Sequence, residues 1–185
     1  SDVYRYEVDR DNRITGVGRN WGTFAEENNW AGERCLPEKV VGQDLIDFIA
    51  SAEARQLYRV LMDRARQGFR VGPIPFRCDA PEERRFLELR MEPRAHGHVA
   101  IESRIIRREP REKVALLEAS TPRTEKFLRI CSMCKKVDLD KDHWVEIEEA
   151  MTQLRLFEQD ALPLLTHGLC QTCHQATRQR WEDRA

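Results

Sequence analysis

Cys131-Ser-Met-Cys134 and Cys170-Gln-Thr-Cys173 are the stretches of this sequence best suited to chemistry. Thirty-five residues, 135–169, lie between the two pairs. A CxxC turn points two thiolates at one ion and leaves backbone NH groups facing the sulfurs. A second pair completes a tetrahedral four-sulfur shell, which zinc accepts without electronic preference. The spacing exceeds that of the shortest zinc ribbons, so a small helical element is expected between the halves. One zinc held by Cys131, Cys134, Cys170 and Cys173 is the first expectation. Cys35 and Cys78 are expected to be neither ligands nor disulfide partners. The alternative chemistry for the same four cysteines is a thiol-based redox switch, because oxidised thiolates release metal. A zinc hydrolase is disfavoured, since four thiolates leave no open position for water.

Other constellations are weaker. Cys170-Gln-Thr-Cys-His174 matches the attachment pattern of c-type haem, but an intact CxxC upstream already supplies zinc's other two ligands. His167 could ligate in place of a cysteine or donate a hydrogen bond to a thiolate, and the second role or simple packing is expected. Lys135 and Lys136 could offset the charge of a four-thiolate site. Gly16-Val-Gly18 lacks the further glycine and the βαβ setting of a nucleotide loop. No spacing of Ser, His and Asp suggests a nucleophile, so no enzyme activity is expected.

The chain has 185 residues, enough for one large domain or two small ones. Its 31 basic and 32 acidic residues nearly cancel, to a net charge of -1. No field of one sign exists to attract nucleic acid or an anionic membrane. No apolar run approaches the roughly 18 residues that span a bilayer. Ser1 to Tyr6 do not form a signal-peptide pattern, and paired CxxC motifs in a charge-rich chain point to a reducing compartment. A cytoplasmic location is the expectation.

The elements that must position the cysteines follow from periodicity. Tyr4, Tyr6 and Val8 alternate with charged residues, and Arg13 to Val17 returns as a second strand. Residues 20–28 predict a short helix carrying Trp21, Phe24 and Ala25 on one face. Val40 to Ile49 predicts a helical stretch entered through Gly42. Ala54, Leu57, Tyr58, Leu61 and Ala65 form the stripe of a longer helix, Ala52 to Gln67, ended by Gly68. Three strands follow, around Ile74 to Cys78, Leu87 to Met91 and Val99 to Ile105, each with one apolar and one wet face. With this order of elements, and with Glu7-Val-Asp-Arg-Asp-Asn-Arg-Ile14 and Val41-Gly-Gln-Asp-Leu45, residues 3–107 resemble a PAS domain. That resemblance implies a sensory or interaction module without catalysis. Flavin-photosensory relatives need a cysteine after the Val-Gly entry, where Gln43-Asp44-Leu45 stand here. Haem-binding relatives supply a histidine from the long helix, which has none. Cys78 and Ser103 share the apolar phase and could be polar points in a cavity for a small ligand.

Ile130-Cys-Ser-Met-Cys-Lys-Lys136, Trp144 with Glu146-Ile-Glu148, and His167-Gly-Leu-Cys-Gln-Thr-Cys173 resemble a cysteine-rich tail at the end of many bacterial sensor and response-regulator proteins. Trp144, Ile147, Met151 and Leu154 predict a helix over 143–155, and a final helix runs from Gln171 to Arg184. The expected fold is α+β. A PAS-like antiparallel five-stranded sheet with helices on one face fills 1–107. A linker helix spans 108–128, with Pro110 in its first turn, and a small, mainly helical zinc-binding module fills 129–185. The expected function is signal sensing or protein interaction in a bacterial regulatory system, with a signalling protein as partner. A homodimer is expected through the PAS-like part or the apolar edge Val114, Leu116 and Leu117. The first part is expected to fold alone.

Overall fold

The computed structural model describes residues 2–23, 36–49 and 52–182. Cys35, and Phe24 and Ala25 of the expected early helix, lie outside the described residues. Within them, residues 21–23 are helical.

β1 (Val3–Val8) and β2 (Ile14–Val17) form the opening hairpin. The Asp9 carboxylate accepts the amides of Asp11 and Arg13 at 2.8 and 2.9 Å, which holds the turn while Asn12 takes φ 65°. β3 (Val71–Arg77), β4 (Glu83–Pro93) and β5 (Val99–Pro110) complete an antiparallel sheet of order β2-β1-β5-β4-β3. The register sets Tyr4 beside Ser103, Ser103 beside Leu89, and Leu89 beside Ile74. These residues share one face, so the alternation seen in sequence becomes a continuous apolar layer. The opposite face is wet. Arg5–Glu102, Arg104–Glu102, Arg90–Glu88 and His98–Glu7 pair there at 2.8 to 3.4 Å. His98 therefore lies on the wet face, away from the core.

The helices between β2 and β3 cover the apolar face. α1 (Pro37–Val40) stops early, and a 3₁₀ turn (Leu45–Phe48) follows, where a single helical stretch over 40–49 was expected. The backbone between them is drawn onto β2: the Gly42 amide donates to Ile14 O at 2.7 Å, and the Ile14 amide to Gln43 O at 2.9 Å. Gly42 takes φ +91° to allow this. Asp44 then caps the turn, accepting from the Ile46 amide at 2.9 Å. α2 (Ala52–Arg66) is the predicted long helix, and Ala54, Leu57, Leu61, Met62 and Ala65 are buried along it. Gly68, at φ +97°, ends it by donating to Ala65 O at 2.9 Å. This is the α+β, PAS-like arrangement implied by the sequence.

Gly72 sits at an irregularity between β3 and β4, at φ +100°, where an added Cβ would strike the Leu89 carbonyl. Gly72→Ala is therefore expected to lower stability by about 2 kcal/mol, read as a shift of the urea midpoint without change of slope. An unchanged midpoint would remove this account of the glycine.

The linker corrects an expectation. β5 runs on to Pro110, and between it and Arg123 the described chain has one helical turn, the 3₁₀ turn Ala115–Leu117. The reason is pairing: Glu83, Arg84 and Arg85 of β4 extend the ladder to Pro110, Glu109 and Arg108. A boundary at 107 would cut this strand. Val114 and Leu116 are buried, with Leu117 packed beside them, in the core of the carboxy-terminal unit. They are not an edge left for a second chain.

That unit is built on a second sheet, which the expected mainly helical module did not include. β6 (Arg123–Cys131), β7 (Val137–Asp138), β8 (Trp144–Val145) and β9 (Leu162–Gly168) lie in the order β8-β7-β6-β9. β9 runs parallel to β6, and α3 (Ile147–Gln153) supplies the crossover between them. Ile147 and Met151 are buried as predicted, but Trp144 belongs to β8 and Leu154 is exposed. α4 (Gln171–Glu182) closes the described chain.

Candidate metal centre

The parallel pairing of β6 with β9 brings the two cysteine pairs together. The register places Cys131, the last residue of β6, beside Gly168, the last residue of β9. The Ser132 amide donates to Gly168 O at 2.8 Å, so the chain after β9 begins next to the first pair. Beyond Cys131 the backbone folds back in a tight knuckle. The Cys131 amide donates to Lys136 O at 2.8 Å and the Lys135 amide to Cys131 O at 3.0 Å, with Lys135 left-handed at φ 62°. On the other side, Cys170 precedes α4 and Cys173 lies in its first turn. The knuckle thus faces the start of α4, and the helix dipole there favours thiolate.

All four sulfurs lie within 4.8 Å of one another, and Cys134 Sγ is 3.7 Å from Cys170 Sγ. Thiolates about 2.3 Å from a zinc ion form a tetrahedron with edges of about 3.8 Å. The donor set therefore fits a four-coordinate ion of zinc's size. Backbone amides already face the sulfurs: Cys170 N–H toward Cys131 Sγ and Cys173 N–H toward Cys170 Sγ, each at 3.4 Å. Left to themselves Cys131, Cys134 and Cys173 compete for protons. Hydrogen bonds from the Cys134 and Cys173 thiols hold Cys131 far below the ordinary thiol range. Through its bond to Cys131, Cys134 is pushed up to about 12, and Cys173 is driven higher still by Cys131 and Cys134. A divalent cation resolves this conflict by replacing the shared protons. None of the five described cysteines is in a disulfide, and Cys78 lies outside the tetrad.

The knuckle is also a contact with the five-stranded sheet. Met133, between the two ligands of the first pair, packs against the core beneath that sheet. The Arg77 amide at the end of β3 donates to Met133 O at 2.6 Å. Around this junction lies a buried network of charges. Asp79, with a side chain 1% exposed, is paired with Arg77 and with Arg111 at 3.1 Å. Arg77 reaches Glu146 at 2.9 Å, and Arg84 and Arg111 reach Glu148 at 2.8 and 3.2 Å. Glu146 stands at the N-cap position of α3 without a side-chain cap bond, and Glu148 lies in its first turn, where the helix dipole favours negative charge. Burial raises the pKa of Glu148. Its own amide, a hydrogen bond from Arg84 and the charges of Arg84 and Arg111 outweigh this and hold it below the usual carboxylate range. A depressed folded value means that stability is present above the ordinary glutamate pKa and is lost as pH falls through the lower folded one. Stability is thus expected to fall on acidification from about pH 5 towards pH 3, with a shallower fall in Glu148→Gln. Equal slopes in urea titrations of the two proteins would contradict this.

The other singled-out residues fall as follows. His167 is exposed and outside the tetrad. Desolvation first and the Lys135 ammonium second hold its pKa down. Lys135 Nζ donates to Ser132 O at 2.6 Å, within the knuckle. His174 is an exposed helix residue. Cys78 and Ser103 do line a cavity of about 230 Å³ under the sheet, together with Tyr6, Tyr58 and Met133. Sequence reasoning missed Met133, Arg77 and Asp79. The one signal for them was an apolar methionine inside a knuckle otherwise bound to be exposed.

No protein-family model matches the chain, and neither does any curated protein. Among solved structures the chain is similar to a domain of HTR-like protein from Haloarcula marismortui ATCC 43049. The identity is 18% and the TM-score 0.42, over 58% of this chain and 100% of that one. It is also similar to the PAS domain of the Cronobacter turicensis RpfR quorum-sensing receptor, solved in complex with C12:0. Here the identity is 16% and the TM-score 0.40, over 58% of this chain and 96% of that one. Among the described residues no helix is long and apolar enough to cross a membrane.

Proposed function

We propose that this chain is a signal-sensing and protein-interaction module of a bacterial regulatory system. Its PAS-like sheet receives a small ligand or a partner, and its carboxy-terminal unit, braced by one structural zinc, relays the change to a signalling protein. The observation that carries this reading is the convergence of Cys131, Cys134, Cys170 and Cys173, with sulfurs within 4.8 Å, where the tail meets the cavity-bearing face of the sheet. Four thiolate ligands suit structural zinc and leave no coordination site for catalysis. The mixed surface charge supports a protein partner over nucleic acid, and the paired thiols support a cytoplasmic setting. A homodimer remains part of the proposal. What supports it is no longer the linker but the cross-strand neighbours Phe127 and Leu164, 67% and 38% exposed on β6 and β9. Light scattering is expected to give twice the chain mass, reduced to one chain by Phe127→Glu.

The deciding measurement is elemental analysis of protein purified without chelator. One zinc per chain is expected, and less than half an equivalent would end this reading. Retention of zinc through mild peroxide is also expected. Release, with reversible loss of the tail's structure, would support the thiol-redox alternative instead.

A further inference from the structure

The cavity beneath the five-stranded sheet is lined mostly by that sheet's own unit, including Leu57, Leu61, Ile74 and Phe76. The metal knuckle adds Ser132, Met133 and Lys135, and β9 adds His167. Met133 is one residue from Cys134 and two from Cys131, so nothing flexible separates the wall from the ligands. Its carbonyl is bonded to the Arg77 amide, and Ser132 is bonded to Gly168. Wall, ligand pair and the end of β3 are one connected piece of backbone.

We infer that occupancy of the cysteine tetrad and occupancy of this cavity are thermodynamically linked, with Met133 as the shared element. The inference rests on the metal reading above. An ion at the tetrad ties the first pair to Cys170 and Cys173 and so holds Met133 against the cavity. Without it the knuckle keeps its backbone bonds, the Lys135 Nζ bond to Ser132 O and the packing of Met133, but loses its tie to Cys170 and Cys173, and a molecule in the cavity faces a looser wall. Metal therefore tightens ligand binding, by reciprocity the ligand tightens metal binding by the same factor, and the tighter site is expected to release its ion more slowly. The lining specifies the ligand's class. An apolar cavity of about 150 Å³ takes benzene, so this larger one takes a small bicyclic or short branched molecule. Tyr6, Tyr58 and Ser103 lie together on the lining, which suits one hydroxyl or carbonyl end.

The probe for the test is 2-naphthol, with the full zinc-loaded chain. Its binding is followed by its fluorescence, and zinc transfer to an excess of a coloured chelator is timed with and without it. Saturating 2-naphthol is expected to slow zinc transfer about fivefold or more. In Met133→Ala the slowing is expected to disappear while 2-naphthol still binds, and Met133→Leu is expected to restore it. An unchanged transfer rate in the parent protein at saturating 2-naphthol would overturn the linkage and leave the metal reading intact. Failure of 2-naphthol to bind at all would overturn the cavity as a ligand site. A purified chain without zinc defeats the earlier reading before the linkage is reached.

Discussion

Cys170→Ser is expected to melt α4 and the knuckle while the five-stranded sheet stays folded. α4 is a mostly exposed helix. Its positions from Gln171 to Gln179 are exposed except Cys173 and Thr177, and Thr177 spends its hydroxyl on Cys173 O at 2.8 Å. A helix of this length is marginal alone in water. With the proposed ion bound, sulfur–metal bonds tether its first turn, and metal-binding free energy becomes folding free energy, about 10 to 16 kcal/mol in isolated zinc fingers. The rest of the carboxy-terminal unit depends on metal less. Ile130, Val137, Ile147, Met151, Leu156 and Leu162 are buried there in a core of their own. Hydrogen exchange in the variant is expected to show protection lost in residues 132–136 and 171–182 and kept in β4 and β5. Protection of α4 in metal-free protein would refute this assignment.

Asp79→Ala carries the next largest effect. Two guanidiniums, Arg77 and Arg111, share that one buried carboxylate. Truncating it leaves both cations facing a site without their common partner. Breaking a buried pair from one side typically costs about 3 to 5 kcal/mol, because the remaining charge stays desolvated. Arg77 keeps Glu146, and Arg111 keeps Glu148, so the lower half of that range is expected. Asp79→Asn retains hydrogen-bonding atoms and is expected to lose less. Urea denaturation checks both, and a loss below about 1 kcal/mol for Asp79→Ala would show the network to be dispensable.

The cysteine tetrad and the first sheet were legible because each is written in local spacing. Leu87, Leu89 and Met91 alternate on one face of a strand, and Ala54, Leu57, Leu61 and Ala65 mark a helix. β6 and β9 were not legible. Phe127 and Leu164 are apolar but face outward, which blurs the alternation of both strands. Pro110 misled for a physical reason: it suits the first turn of a helix and equally the end of a strand, where its missing N–H leaves no ladder bond unmade. The charge network could not be read at all, because Arg77 and Glu146 are 69 residues apart in the chain. Only the docking of two folded units brings them together.

The parallel pairing of β6 with β9 also bears on synthesis. Cys170 follows Cys131 by 39 residues. A ribosome adding about 5 to 20 residues per second leaves the first pair waiting roughly 2 to 8 seconds for the second. During that interval two thiols of the nascent chain are exposed to whatever ion or oxidant arrives first. The strand register cannot be set until β9 has emerged, and a slip of one residue would carry Gly168, and the pair behind it, about 3.3 Å along Cys131. If the four sulfurs hold an ion as proposed, its capture comes late and would proofread the strand alignment that precedes it.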